Sequence, residues 1–406
     1  MKTGSQYKFL LLKNRIENLL LFPFILAGRV LALFDRDRSE YETFFFFPFY
    51  HIGGAEKIHY QVAQATGGPG SIIYFTRKSH RNDYLEEFMR SGCVVKDISR
   101  WTDNKWIMPF NFIFRGLVAA RINRQHKRPL VFNGQSNFGY KISPWIKKSI
   151  PQAELIHALN TFTWIRIPFV RFYKVCITVS AEIIGKHVWA YADKGLPLVL
   201  TDKFKYVMSR VELPADRRPK DYKPEHFTVL YVGRGTEEKR PWIVAKVAAS
   251  ISKLRLPIRF EFAGNVAEAI DPSLRECCIF HGDVNNRTAL FDLYHQAQVL
   301  LIPSSSESGP LVFMEAMAEC CAIISTAVGY INEHVRDGQE GFVIRDIFDE
   351  AAVVREMEEK ILLLYNDRSQ LEKIGEHNRE YAYRHFNIGL FQEEYRALFN
   401  TIRSTH

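Results

Sequence analysis

The sequence predicts an α/β protein built as two domains in tandem, each a parallel sheet covered on both faces by helices. Three observations predict it. Short apolar runs alternate with helical stretches along most of the chain, as strand–crossover–strand units do. The alternation breaks once, at ELPADRRPKDYKPEH (212–226), whose three prolines and many charges read as a linker, and then begins again. The stretch 300–329, LLIPSSSESGPLVFMEAMAECCAIISTAVG, compresses strand, turn-rich loop, helix and strand into one segment.

Composition bounds the answer. The chain has 406 residues, 47% apolar and 24% charged, which is enough for two cores. Its six cysteines include two adjacent pairs and no CxxC spacing. A zinc site or disulfide framework is therefore not expected, and reduced cytosolic thiols are. The net charge of +9 is uneven: residues 1–212 hold about 31 lysines and arginines against about 16 acids, and the remainder is acidic on balance. A basic half suits an anionic partner such as an acidic membrane surface. Lys127-Arg128 and Lys147-Lys148 are clusters too short, and too poor in aromatic platforms, to suggest nucleic acid.

Residues 1–40 precede the first clear strand. The apolar run 19–28 is ten residues long, contains Pro23 and is bracketed by Glu17 and Arg29, so it is too short to span a bilayer. No small-residue cleavage site follows, which argues against a signal peptide. Lys8, Lys13, Arg15 and Arg29 among Leu, Phe and Ile suit a helix lying on a membrane. They suit equally a helix packed on the next domain, and the sequence leaves both readings open. Asp35-x-Asp37 looks like a metal-binding DxD, but its arginine neighbours make salt pairs the simpler reading.

Strands are expected at 44–49, 71–76, 93–98, 130–133, 154–158 and 175–179, with Ser180 capping a following helix. After 226 they are expected at 228–232, 258–263, 278–281, 299–302 and from 322. Helices are expected at 240–253, 289–296, 311–320, 352–383 and 390–403. Ligands of open α/β sheets bind at loops beyond the carboxyl ends of strands. There Gly53 and Gly54 allow close backbone approach at a helix start. Arg234 and Lys239 follow a strand and can clamp a diphosphate. Glu307 and Glu315 flank a helix terminus, where a carboxylate can accept from hydroxyls. His157 stands at a strand end.

In this order the pieces resemble the retaining, nucleotide-sugar-dependent glycosyltransferases of family 4 (glycosyl transferases group 1). They are GGAE at 53–56, the His157 strand end followed by VCITVS, VGRGTEEKRP with Arg234 and Lys239, Glu307-x7-Glu315, and VGYINEHVRDGQEGFVI. The resemblance spans roughly 42–400. It implies the GT-B fold, two Rossmann-like α/β/α domains facing a central cleft. Residues 1–40 would be an amphipathic or interfacial segment, 41–212 the acceptor-binding domain and 213–385 the nucleotide-sugar-binding domain. Residues 386–406 would form a helix returning to the N-terminal domain.

The resemblance also implies roles. Glu307, His157, Arg234 and Lys239 would be catalytic, with Arg234 and Lys239 stabilising the leaving diphosphate and Glu307 meeting the donor sugar. Glu315 would accept from both ribose hydroxyls. Gly53, Gly54 and the backbone N–H groups of Ser308, Gly309, Leu311 and Val312 would complete the donor site. No metal or other cofactor is expected. The implied activity transfers a sugar from a UDP- or GDP-sugar to a glycan or lipid-linked acceptor in surface polysaccharide or glycoconjugate synthesis. It would work in the cytoplasm or on the inner face of the membrane. A nucleotide-sugar 2-epimerase and a silent sugar-nucleotide-binding module are the alternatives. Ser308, Cys320, Cys321 and Tyr330 depart from the family pattern, and Tyr330 is expected to narrow or stack in the donor site.

Overall fold

The computed structural model describes residues 4–404 apart from 36, 52 and 308. They form two units: Met1–Met208 with Phe391–His406, and Ser209–Leu390.

The first unit opens with α1 (Gly4–Leu31). Then come β1 (Thr43–Phe47), α2 (Gly54–Thr66), β2 (Ser71–Phe75), α3 (Leu85–Arg90), β3 (Val94–Asp97), α4 (Ser99–Thr102) and α5 (Met108–Asn123). The unit continues with β4 (Leu130–Asn133), α6 (Asn137–Ile142), β5 (Gln152–Ile156), α7 (Thr161–Arg166), β6 (Val175–Thr178), α8 (Ala181–Asp193) and β7 (Phe204–Tyr206). The strands are parallel in the order β3-β2-β1-β4-β5-β6-β7. The run of phenylalanines at 44–47 is wholly buried because a parallel sheet carries helices on both faces, so both sides of a central strand must be apolar.

The second unit contains β8 (Phe227–Val232), α9 (Pro241–Ser252), β9 (Ile258–Ala263), β10 (Ile279–Gly282), α10 (Arg287–Gln296), β11 (Val299–Ile302) and α11 (Val312–Ala318). It ends with β12 (Ala322–Thr326), α12 (Ile331–His334), β13 (Gly341–Ile344), α13 (Glu350–Asn366), α14 (Arg368–His385) and the start of α15 (Ile388–Ser404). Its parallel order is β10-β9-β8-β11-β12-β13. In each unit the strand order reverses once, between β1 and β4 and between β8 and β11. At such a switch point neighbouring loops diverge and open a crevice at the carboxyl edge.

Several expectations need correcting. His157 lies just beyond β5 rather than within a strand. The helix expected at 311–320 is the seven-residue α11, ended by Cys320 in the left-handed region at φ 61°. The helix expected at 352–383 divides at Asp367, whose side chain accepts from the Gln370 N–H and so starts α14. Edge strands β7 and β13 had no strand expectation.

The linker reading of 212–226 fails most clearly. This stretch is fastened along the second unit. Lys220 donates to the carbonyls of Tyr294 (3.0 Å), His295 (2.6 Å) and Glu319 (3.0 Å), and Arg218 pairs with Asp292 at 2.5 Å. Tyr222 joins the core. Its prolines and charges look solvated in sequence because the partners lie about 70 to 100 residues further on.

Helix α1 packs on α5 through two glycines. A Cβ at Gly28 would stand 1.9 Å from the Ile113 carbonyl oxygen, and one at Gly116 would stand 2.1 Å from that of Ile25. The helix axes can approach this closely only without side chains at the crossing. We predict that Gly28→Ala destabilises the protein by about 1–3 kcal/mol through overpacking, read as a lower urea midpoint; an unchanged midpoint would contradict it. Asp35 and Asp37, beyond α1, pair with Arg121 of α5 (2.5 Å) and Lys96 of β3 (2.8 Å). The Lys96 hydrogen bond holds the Asp37 carboxyl well below its ordinary range.

Candidate functional site

In the second unit, the loops after β8 (233–240) and β11 (303–311) flank the switch point and are tied together. Ser305 N donates to the Glu238 carbonyl at 2.8 Å. Arg240, buried and in the left-handed region at φ 47°, donates to the carbonyls of Pro303 (2.7 Å) and Ile347 (2.8 Å). It also reaches the Ser304 carbonyl at 3.3 Å. Thr326 of β12 donates to that same carbonyl at 2.6 Å. The loops are therefore held by buried donors that satisfy their carbonyls, leaving their outer residues in fixed positions.

Lys239 and Glu307 meet across this seam. The ammonium pairs with Glu307 Oε1, and Ser304 Oγ donates to the same oxygen at 2.9 Å. The Lys239 side chain is 21% exposed and that of Glu307 9% exposed, so the pair faces outward only at its edge. Arg234 does not join it. Its side chain is 75% exposed and lies 3.4 Å from Glu238 on the surface, so the two expected cations are not assembled into one clamp in this state.

Glu315 lies in the first turn of α11, buried, and accepts a hydrogen bond from the Tyr294 hydroxyl at 3.1 Å. Tyr294, on α10, had no signal in the sequence. Gly309 is required by packing: a Cβ there would lie 2.1 Å from the ring of Tyr330. Tyr330 is fully buried against Phe313 and His334 (centroids 5.8 and 6.0 Å). It supports the loop from beneath and cannot stack on a ligand, which corrects the expectation for that residue. Leu311 is the N-cap of α11 and Val312 its first residue; Ser308 lies outside the described residues. With two turns, α11 offers local N–H groups rather than a long helix dipole.

In the first unit, the switch point between β1 and β4 gathers a different set. Gly53 caps α2 in an extended conformation, and a Cβ on Gly54 would meet no atom within 4 Å. Glu56, in the first turn, is buried, which pushes its carboxyl up. His157 shares an Nε2–Nε2 hydrogen bond of 2.9 Å with His59 of α2, one ring donating and the other accepting. His59 was not foreseen; it is 1% exposed and stacks on Phe47 with centroids 4.6 Å apart.

Burial pushes both rings down, His157 to about 4, although His157 keeps a partly open edge. A histidine held neutral by the fold takes up protons more readily when unfolded. The stability this pair contributes is thus complete above the ordinary value of about 6.5 and is lost as pH falls from there toward 4. We predict a urea midpoint that declines over that window and a shallower decline in His59→Leu. Equal slopes in both proteins would remove the pair as the cause.

The comparisons with known proteins bear on the second unit first. Residues 214–381 match the family described as glycosyl transferases group 1. These residues form a glycosyl transferases group 1 domain. It contains Arg234, Lys239, Glu307 and Glu315. A D-inositol 3-phosphate glycosyltransferase of Paenarthrobacter aurescens is 28% identical over 132 residues, 30% of this chain and 32% of the relative. A 41.2 kDa protein of the cps region of Klebsiella pneumoniae is 24% identical over 226 residues, 52% of this chain and 61% of the relative. The alignments thus span about a third to three-fifths of these curated relatives.

Solved structures extend the likeness beyond the domain. Anabaena HepE in complex with UDP and glucose superposes with a TM-score of 0.67, covering 88% of this chain and 99% of that one at 13% identity. A sucrose-phosphate synthase of Thermosynechococcus elongatus gives 0.64, covering 89% and 99% at 14% identity. With its two parallel-sheet α/β units, the chain has the GT-B fold.

Proposed function

We propose that the protein is a retaining glycosyltransferase that moves a sugar from a UDP- or GDP-sugar to a glycan or lipid-linked acceptor in surface polysaccharide or glycoconjugate synthesis. The observation that carries this reading is the Lys239–Glu307 pair beside buried Glu315 at the switch point of the glycosyl transferases group 1 domain. The likenesses to a UDP-and-glucose complex and to a cps-region protein support the donor class and the setting. We place the work in the cytoplasm, at the inner face of the cell membrane.

In this reading Glu315 accepts from the ribose hydroxyls. Lys239 stabilises the leaving diphosphate, joined by Arg234 once it turns from Glu238, and the N–H groups of Gly309, Leu311 and Val312 add donors. Among the described residues both contacts of the Glu307 carboxylate fall on Oε1, so Oε2 is assigned to the sugar hydroxyls. From the first unit, His157 is assigned to the reacting sugar and Gly53 and Gly54 to the diphosphate. The bond from the anomeric carbon to the diphosphate breaks as the acceptor oxygen attacks the same face, and the acceptor proton passes to a leaving phosphate oxygen. These cations make a metal unnecessary, so turnover should survive EDTA.

Incubation with a panel of UDP- and GDP-sugars tests the reading. Slow release of free nucleoside diphosphate is expected. An epimerised nucleotide sugar would instead assign a 2-epimerase, and no conversion would assign a binding module. Gly54→Val probes the first unit, because a side chain there meets no protein atom within 4 Å. Turnover lost with an unchanged melting temperature is expected; unaffected turnover would remove Gly54 from the site.

A further inference from the structure

Helix α1 carries one more apolar face than its packing uses. The side turned to the protein holds Tyr7, Asn14, Ile25 and Gly28. At 100° per residue, the opposite side holds Phe9, Leu12, Ile16, Leu19, Leu26 and Val30, a row in steps of three, four and seven. These six are between 47 and 74% exposed. A row of this length, about 30 Å at 1.5 Å per residue, is far more apolar surface than isolated exposed residues present, and such patches mark interaction sites.

The flanks say what it meets. Exposed Lys8 and Arg15 border the row on one side and exposed Lys13 on the other. Among the described residues none of the three has an acidic partner. The one acid of the helix, Glu17, is taken up by Lys141 at 3.1 Å. Beside α1, the start of α5 exposes Phe110, and Trp106 just before it is 94% exposed. At the amino end of the row a cavity of about 500 Å³ opens, lined mostly by apolar side chains, Phe9, Leu10, Trp164 and Ile167, with Gln6 and Lys194. Apolar residues along the middle, lysine and arginine on the flanks and aromatic rings at the margin are the chemistry of a helix lying in the headgroup layer. Among the described residues no helix is long and apolar enough to cross a membrane. A second copy of the same face would set unpaired cations against their own kind.

We propose that this face of α1 docks the protein on an anionic lipid bilayer, with the cavity beside Phe9 receiving a hydrocarbon segment. The inference deepens the lipid-linked acceptor reading and rests on it only for the purpose that docking serves. Flotation of the full chain tests it, using vesicles of phosphatidylcholine with and without phosphatidylglycerol. Binding to the mixed vesicles, weakened by salt, is expected. Leu12→Glu/Leu19→Glu alters only exposed positions and should bind at least about tenfold more weakly, since it removes buried apolar area and adds repulsion. Each of Lys8→Glu, Lys13→Glu and Arg15→Glu should weaken binding roughly fivefold on the mixed vesicles.

Donor hydrolysis by the same variants should match wild type, which separates the two proposals. Failure of the wild type to hydrolyse any donor would sink the transferase reading and leave the surface standing. Three results would overturn the surface: no flotation of the wild type with mixed vesicles, flotation of Leu12→Glu/Leu19→Glu like wild type, or a vesicle-indifferent dimer that this double variant dissociates.

Discussion

Lys239→Ala is expected to lower turnover about 10²–10³-fold, the usual cost of removing one preorganised donor from a site where negative charge develops. Two effects combine. The diphosphate loses a cation at the seam between the loops after β8 and β11. Glu307, 9% exposed, also loses the ammonium that pairs with its Oε1, so a carboxylate balanced only by the Ser304 hydroxyl is left near the leaving group. Lys239→Arg keeps the charge but changes the donor geometry, and should recover part of the rate. Fold integrity is checked by an unchanged urea transition, and rate by nucleoside diphosphate release under saturating donor. A wild-type rate in Lys239→Ala would eliminate the cation from the mechanism. A fall that Glu307→Gln also produces alone, without further loss in the double variant, would show that the pair acts as a unit.

Glu315→Ala is expected to weaken donor affinity about 10²–10⁴-fold, since the two hydrogen bonds from the ribose to a carboxylate each contribute about 1.5–3 kcal/mol. Its signature differs from that of Lys239. The ribose is held alike in ground and transition states, so KM should rise while kcat holds. The Tyr294 hydroxyl gives the control. It donates to Glu315 Oε2 at 3.1 Å, so Tyr294→Phe frees one acceptor position without removing the carboxylate. A smaller shift in KM is expected there. Titration calorimetry with UDP and GDP alone reports the same ordering without turnover. Unchanged nucleotide affinity in Glu315→Ala would refute the ribose assignment.

What the sequence revealed and what it hid follow from range. The parallel architecture was legible because buried strands such as Phe44–Phe47 and Val299–Ile302 are uninterrupted apolar runs, a local property. Glu307, Glu315 and Lys239 stood out as candidates through their resemblance to a family pattern at loops beyond strand ends, and the structure brings Glu307 and Lys239 together. The supports were not legible. Tyr294 reaches Glu315 from another helix, Arg240 reaches carbonyls 63 and 107 residues away, and His59 meets His157 across 98 residues. No local pattern encodes such pairs. Tyr330 was misplaced for a related reason: proximity of its Cα to the loop says nothing about which way the ring turns, and packing on Phe313 turns it inward. Helix α1 was ambiguous because it is apolar on two opposite sides, so one helical period served two surfaces and decided between neither.

The last helix has a consequence for synthesis. Residues from Phe391 onward belong to the first unit, although they follow the whole of the second in the chain. There Phe399 packs on Phe45 and Phe132 (centroids 6.3 and 5.4 Å), and Arg403 donates to Thr43 at 2.6 Å. On the ribosome the first unit emerges early with Phe45 and Phe132 not yet covered by Phe399, and it waits while the second unit is made. The order of completion therefore inverts the order of emergence: the glycosyl transferases group 1 domain can finish folding first, and the unit that began the chain is sealed by its own distant continuation.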